Sequence, residues 1–330
     1  MSPDRLFGSL TLAIATSAMA GSVITAPPPE EIVPGVHLLR GQMLPERGPD
    51  GNTIVFEAPQ GFVVVDTGRH EWHSDAILAL APAERKPIVA IVNTHWHLDH
   101  SSGNGRIKAA FPQAQVYATK AINRALAEGG FLARNLESAR PRLQDPKLSD
   151  VQKEEVQIFV ATMQARDELR PDIAIERSEG MTIGGRVLDV RVTDRAVTDA
   201  DVWLFDAPSG VAVLGDLVTL PAPFFETACP AQWREELDEV SNLPFDTAIP
   251  GHGEPMTPAQ FQVYRVAFNS FMDCVEGATA PAQCATAWQS DIAPLIGNDE
   301  RMRKMAFEYA QYYVDMLREN GGKSAECLER

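Results

Sequence analysis

Three histidines and one aspartate crowd the segment His95-Trp96-His97-Leu98-Asp99-His100. The whole chain has only seven histidines, so this clustering is unlike satisfied surface imidazoles scattered by chance. Neutral imidazole and carboxylate together form the donor set of zinc and its first-row neighbours. The segment directly follows Ile88 to Val92, an apolar run that reads as a buried strand. On an extended loop leaving that strand, His95 and His97 can point the same way. Asp99 and His100 then open the following turn. A metal held there would activate water and polarise an oxygen beside it.

Such a loop needs a frame, and the flanking sequence supplies an α/β one. Val36 to Leu39, Thr53 to Glu57 and Phe62 to Val65 are β-branched and apolar, separated by Gly, Pro and Asp, and read as strands. Glu71 to Leu80 reads as a helix, Pro87 to Val92 as a strand, Asn104 to Ala110 as a helix and Gln115 to Ala118 as a strand. That alternation implies layers of helix on sheet. Good helix formers dominate from about 120 to 175, with a start at Ser149-Asp150, so this stretch reads as a helical insertion. Strands resume as a hairpin, Met181 to Ile183 and Val187 to Val192, around Gly184-Gly185. A second hairpin pairs Val202 to Phe205 with Val211 to Leu214. Beyond Thr257 the chain reads as helices, and the spacing of Phe261, Tyr264, Phe268 and Phe271 marks a core face rather than a cofactor platform.

Composition narrows the partners. A net charge of −16 over 330 residues repels phosphate backbones, which argues against nucleic acid while leaving room for a local basic patch. Residues 1–20 carry a weakly positive start from Arg5 and the amino terminus, diluted by Asp4, then a small apolar run ending at Ala18-Met19-Ala20, the pattern of a cleaved export signal. The run is short for a membrane span, and no Cys follows to carry a lipid. A buried or interfacial helix is the competing use of the same residues. Removal near Ala20 leaves residues 21–31 as a linker containing Pro27-Pro28-Pro29. Four cysteines allow three pairings. Export favours disulfides, and the short spacing between Cys274 and Cys284 favours that pair, leaving Cys229 with Cys327. Free buried thiols are the alternative, and a Cys-rich metal site lacks the spacing.

The segment from His95 to His100 resembles the HxHxDH signature of the metallo-β-lactamase superfamily. Three further landmarks keep that family's order. Val63-Val64-Val65-Asp66-Thr67-Gly68 resembles the strand and Asp-Thr-Gly turn before the signature, Leu214-Gly215-Asp216 the segment whose carboxylate bridges two metals, and Pro250-Gly251-His252-Gly253 the segment carrying the last histidine ligand. The similarity runs over about residues 32–255 and implies a four-layer αββα sandwich, with residues 256–330 as a C-terminal helical extension. It implies a metal site of His95, His97, Asp99, His100, Asp216 and His252 holding one or two zinc ions. Asp99 would handle the proton of the attacking water, and Asp66 would support a ligand from behind.

One landmark departs from the pattern. Where the family places a histidine in a His-Thr-x-Gly context, this chain has Val197-Thr198-Asp199-Ala200, and no histidine lies between His100 and His252. By resemblance the absent residue would complete the group of His95 and His97. Three readings compete. The complete group of Asp99, His100, Asp216 and His252 holds a metal alone or unequally; His70, His73, Asp194 or Asp199 fills the gap; or catalysis is lost and a binding role remains. His70 and His73 also have the plain reading of helix-capping or solvent-facing residues. The Asp216 carboxylate resembles the glyoxalase II and lactonase branches and is atypical of β-lactam-cleaving enzymes. The implied substrate is therefore a small ester, thioester or lactone.

Overall fold

The computed structural model describes residues 24–327, so the expected export signal at 1–20 lies outside the described residues. One sheet has seven strands in chain order: β1 (Glu30–Val33), β2 (Val36–Leu39), β3 (Thr53–Ala58), β4 (Gly61–Val65), β5 (Ile88–Val92), β6 (Gln115–Ala118) and β7 (Ile173–Ala174). The first four pair antiparallel and the last four parallel. The second sheet holds β8 (Glu179–Ile183), β9 (Arg186–Thr193), β10 (Asp201–Asp206), β11 (Val211–Thr219) and β12 (Thr247–His252), in the order β12-β11-β10-β9-β8. Only its β11–β12 pair is parallel.

Side-chain alternation along the strands makes the layers. Val63 and Val65 of β4 face inward and meet Leu188, Val190, Val213 and Ile249 of the second sheet. Phe62 and Val64 face outward, against α1 (Glu71–Glu84) and the last of the next two helices, α2 (Leu98–Ser101) and α3 (Asn104–Ala110). The insertion supplies α4 (Ile122–Leu126), α5 (Phe131–Arg142) and α6 (Asp150–Gln164), packed around Trp96 and Leu98 beside the histidine segment. Ser149 and Gln152 cap α6 reciprocally, which fixes its start.

The other outer layer comprises α7 (Pro230–Ser241), α8 (Pro258–Glu276), α9 (Pro281–Asp291), α10 (Ala293–Ile296) and α11 (Glu300–Glu319). Trp203, Phe205, Ala212 and Leu214 of the second sheet share a core with this layer. The four aromatics of α8 are all buried in it. The chain is thus an αββα sandwich, as the sequence implies. Cys229 pairs with Cys327 and Cys274 with Cys284, the favoured pairing. Among the described residues no helix is long and apolar enough to cross a membrane.

Two elements outrun their expected bounds by four residues or more. α1 continues past Leu80 to Glu84, through Pro82. β11 continues past Leu214 to Thr219, so Asp216 sits inside a strand rather than after one. Gly215, at φ 51°, breaks the local pattern, yet the ladder to β12 resumes beyond it and pairs Thr219 with His252. A side chain at Gly215 would also strike Thr94, so glycine is required on both counts.

Candidate metal centre

The two sheets deliver their polar residues to one end of the sandwich. Asp66 directly follows β4, Thr94 to His100 follow β5, Asp216 lies in β11 and His252 closes β12. Asp66 takes a left-handed φ of 61°, a conformation that aspartate tolerates better than most residues. The kink lets one carboxylate accept from the Thr94 N–H at 2.8 Å, the Thr94 hydroxyl at 2.7 Å and His100 Nδ1 at 2.8 Å. Asn52 donates to the carbonyls of Pro250 and Gly253 and so holds the loop bearing His252. The backbone at Gly251 approaches Asp216 so closely that an added Cβ would lie 2.0 Å from its Oδ1.

These contacts gather six side chains into two groups, His95 with His97 and Asp216, and Asp99 with His100 and His252, each with ligand atoms within 4.8 Å of one another. Asp216 reaches both. Its Oδ1 lies 3.2 Å from His100 Nε2 and 3.5 Å from His252 Nε2, while its Oδ2 lies 3.7 Å from His95 Nε2. Asp99 Oδ2 is 3.0 Å from His252 Nε2. All six residues predicted from the sequence are therefore brought together.

Their outer partners set the tautomers. The Thr94 hydroxyl donates to Asp66, so it accepts from His95 Nδ1 at 2.9 Å and leaves the Nε2 lone pair free. Thr227 donates to the Val197 carbonyl at 2.8 Å, so it accepts from His97 Nε2 at 3.0 Å and frees Nδ1. Asp66 accepts from the Nδ1–H of His100 and so turns Nε2 inward. His95 Nε2 is buried with no hydrogen-bond partner among the described residues. Buried polar atoms are nearly always paired, so this one fits a cation better than a closed protein interior.

Charge agrees with geometry. Burial holds the His95 pKa well below the usual imidazole value and pushes His97 down to about 4. Both imidazoles are thus neutral, the form that binds metal. Burial would raise Asp99 and Asp216, but His100 and His252 outweigh it and keep both carboxylates ionised. At His100 burial is likewise outweighed, here by Asp216, Asp66 and Asp99, and the pKa is held well above the ordinary value. The field at the centre calls for positive charge.

The sequence matches the family model of the metallo-β-lactamase superfamily over residues 47–252. The chain belongs to this superfamily. A linear primary-alkylsulfatase from Pseudomonas sp. is 26% identical over 223 residues, 62% of this chain and 41% of that protein. A hydroxyacylglutathione hydrolase from Nostoc sp. is 37% identical over 59 residues, 14% of this chain and 23% of that protein. The chain spans less than half the length of both curated relatives. Among solved structures, the inverting sec-alkylsulfatase Pisa1 from Pseudomonas sp. superposes with a TM-score of 0.59 at 18% identity, over 88% of this chain and 50% of that one. A metallo-β-lactamase family protein from Thermus thermophilus gives 0.56 at 16% identity, over 88% and 95%. At such identities these structures establish the fold alone.

The departure from the superfamily's pattern is local. Val197 is buried in the apolar cluster under the second sheet. Its loop is held by Asp201, whose carboxylate accepts from the backbone N–H groups of Ala196, Val197 and Thr198. Burial pushes Asp201 up to about 7, against the lowering by those donors.

None of the suggested substitutes joins either group. His70 is bonded to Asp50 at 2.8 Å and Glu155 at 3.0 Å, and His73 to Thr53 at 2.8 Å. Both are buried, which corrects the solvent-facing reading; His70 does occupy the N-cap position of α1, without a side-chain cap bond. Asp199 accepts from Trp96 Nε1 and pairs with Arg124. Asp194 lies on the same loop, outside both groups. Sequence reading missed Thr227 and Glu226, which lie in an irregular loop after β11 and carry no periodic signal. It also missed Asp50, whose neighbour Gly51 donates to the Asp99 carbonyl at 2.9 Å.

A cavity of about 1150 Å³ opens onto His97, Asp99, Asp216 and His252. Phe131, Val156 and Phe159 of the helical insertion wall one side, and Met305, Tyr309 and Tyr313 of α11 another. Trp96 and Phe224 line it next to the histidines, with ring centroids 4.8 and 5.1 Å from that of His97. The cavity is large enough for a substrate of drug-like size or an extended chain.

Proposed function

We propose that this chain is an exported hydrolase that uses one or two zinc ions to cleave an ester, thioester or lactone-type bond of a small apolar substrate with water. The observation that carries this reading is the pair of histidine and aspartate groups, joined by Asp216, at the floor of the cavity. Bound zinc would lower the pKa of water from about 15.7 toward about 7 and polarise the oxygen of the scissile bond. Around it, Asp99 would orient the attacking water and take its proton, while Asp66 and Thr227 keep His100 and His97 in their working tautomers. The aromatic walls would exclude bulk water and hold the apolar body of the substrate. Export is supported by the pairing of all four cysteines, which suits an oxidising compartment.

The aromatic side chains in the cavity wall and the name of the Pseudomonas relative add alkyl sulfates to the esters worth testing first. Val197 favours a second reading, a binding protein on the same fold, because one group lacks a protein ligand. A screen of esters, thioesters, lactones and alkyl sulfates on zinc-loaded protein separates the two. Turnover that chelator abolishes and zinc restores supports the hydrolase. Zinc uptake without turnover on any class supports the binding protein and overturns the hydrolase.

A further inference from the structure

Glu226 is the cavity carboxyl that the arrangement above leaves unused. Asp99 and Asp216 face imidazoles, Glu155 is bonded to His70 and Arg47, and Glu46 stands exposed. Glu226 is half-buried, lines the cavity, and has no Lys, Arg or His nitrogen within 4.0 Å among the described residues. Among the described residues its polar partner is the Tyr312 hydroxyl, 3.4 Å away.

Its backbone position is fixed on both sides. Phe224 packs edge-on to the His97 ring and Thr227 hydrogen-bonds the same ring, so Glu226 sits on the short link between two contacts of one imidazole. Phe225 is fully buried against Trp233 and Phe271, which anchors the link from below. A carboxyl that lines the same cavity as His97, Asp99 and His252, with no cation within 4.0 Å among the described residues to neutralise it, is placed to give a proton rather than to hold a charge. Burial supports this by raising its pKa.

We propose that Glu226 is the acid that protonates the leaving group; this assignment rests on the hydrolase reading above. In an ester, the water oxygen bonds to the acyl carbon and the bond from that carbon to the leaving oxygen breaks. The electron pair goes to the leaving oxygen, which takes the Glu226 proton and departs as an alcohol. The proton of the attacking water passes by way of Asp99 to solvent, and Glu226 regains a proton from water. The net change is ester plus water to acid plus alcohol.

The test pairs two esters of one acyl group, a p-nitrophenyl ester, whose leaving group departs without protonation, and an alkyl ester, whose leaving group needs a proton. On zinc-loaded protein, Glu226→Gln should lower kcat/KM for the alkyl ester by about 100- to 10,000-fold and leave the p-nitrophenyl ester within about threefold. Equal losses on both esters, or no loss on either, overturn the assignment while the hydrolase reading stands. Zinc content is measured on the same samples, and a drop in Glu226→Gln makes Glu226 a ligand and overturns its role as acid. A wild type that cleaves neither ester overturns this assignment, and the hydrolase reading falls with it only when the thioester, lactone and alkyl sulfate screen is negative as well.

Discussion

On one side of Asp216 stand Asp99, His100 and His252; on the other stand His95 and His97 alone. Both sides draw on loops at the same ends of the same sheets, and His95, His97 and His100 are oriented from behind by hydrogen bonds. They differ in the count of donors. With Asp216 shared, the first side offers four ligand residues and the second three, and the missing one maps to Val197 in a loop that is otherwise well ordered by Asp201. If both groups hold metal, the difference predicts that one side chain sets their affinities apart. A three-residue set suits a catalytic ion that keeps open positions, whereas a four-residue set holds its ion more tightly.

That contrast can be broken from either side. His252→Ala or His100→Ala should have the largest effect, removing the tightly held ion and lowering both zinc retention and turnover by more than the roughly 100-fold that loss of an outer partner costs. Zinc content after dialysis and kcat/KM check this. His95→Ala should leave the first equivalent of zinc bound and remove only the second.

Asp66→Asn tests the support of the fuller side. It replaces one acceptor of the Thr94 and His100 contacts and should weaken the first zinc equivalent by about 10- to 100-fold, with a smaller effect on the second, read by competition with a chelator dye. Val197→His works in the opposite direction. It should raise affinity for the second equivalent by about tenfold or more, while costing the metal-free protein about 1–3 kcal/mol because a larger side chain enters a packed cluster. Urea unfolding with and without zinc separates the two effects. If zinc affinity is unchanged, Val197 does not occupy the position of the absent ligand.

The smallest expected effect concerns the link between the insertion and the fuller side. His70 joins Glu155 of α6 to Asp50, beside Gly51 and its bond to Asp99. At Glu155 burial is outweighed by His70, the Gly48 N–H and Arg69, and the pKa is lowered to about 2. That contribution is present above the unfolded value of about 4.5 and is lost as pH falls toward 2. His70 is raised despite burial, by Asp50 and Glu155. Its contribution is complete below about 6.5 and is lost as pH rises through the folded value. Glu155→Gln should therefore destabilise by about 1.5–3 kcal/mol between roughly pH 5 and 6.5, and by less on either side. A penalty independent of pH would show that the link does not depend on charge.

Much of this centre is legible in the sequence because its residues are contiguous or sit at strand ends. His95 to His100 is one run, Asp66 follows and His252 closes a strand with a strong apolar pattern, and Val197 declares itself by being the wrong type in a recognisable place. Asp216 is legible by type but not by setting, since Gly215 disguises the continuation of β11. The burial of His70 depends on Glu155, 85 residues further on, and no local pattern reports it. Thr227 and Glu226 gain their meaning only when the loop after β11 folds back onto His97. Long-range packing, which periodicity cannot encode, supplied the rest.

The most direct measurement is a zinc titration of metal-free protein followed to two equivalents, on the wild type and on Val197→His. The account predicts one tight and one weaker equivalent in the wild type, with the tight one retained in His95→Ala and lost in His252→Ala, and near-equal affinities once Val197 is histidine. Two equally tight equivalents in the wild type, or a tight equivalent that disappears in His95→Ala and survives in His252→Ala, would contradict it.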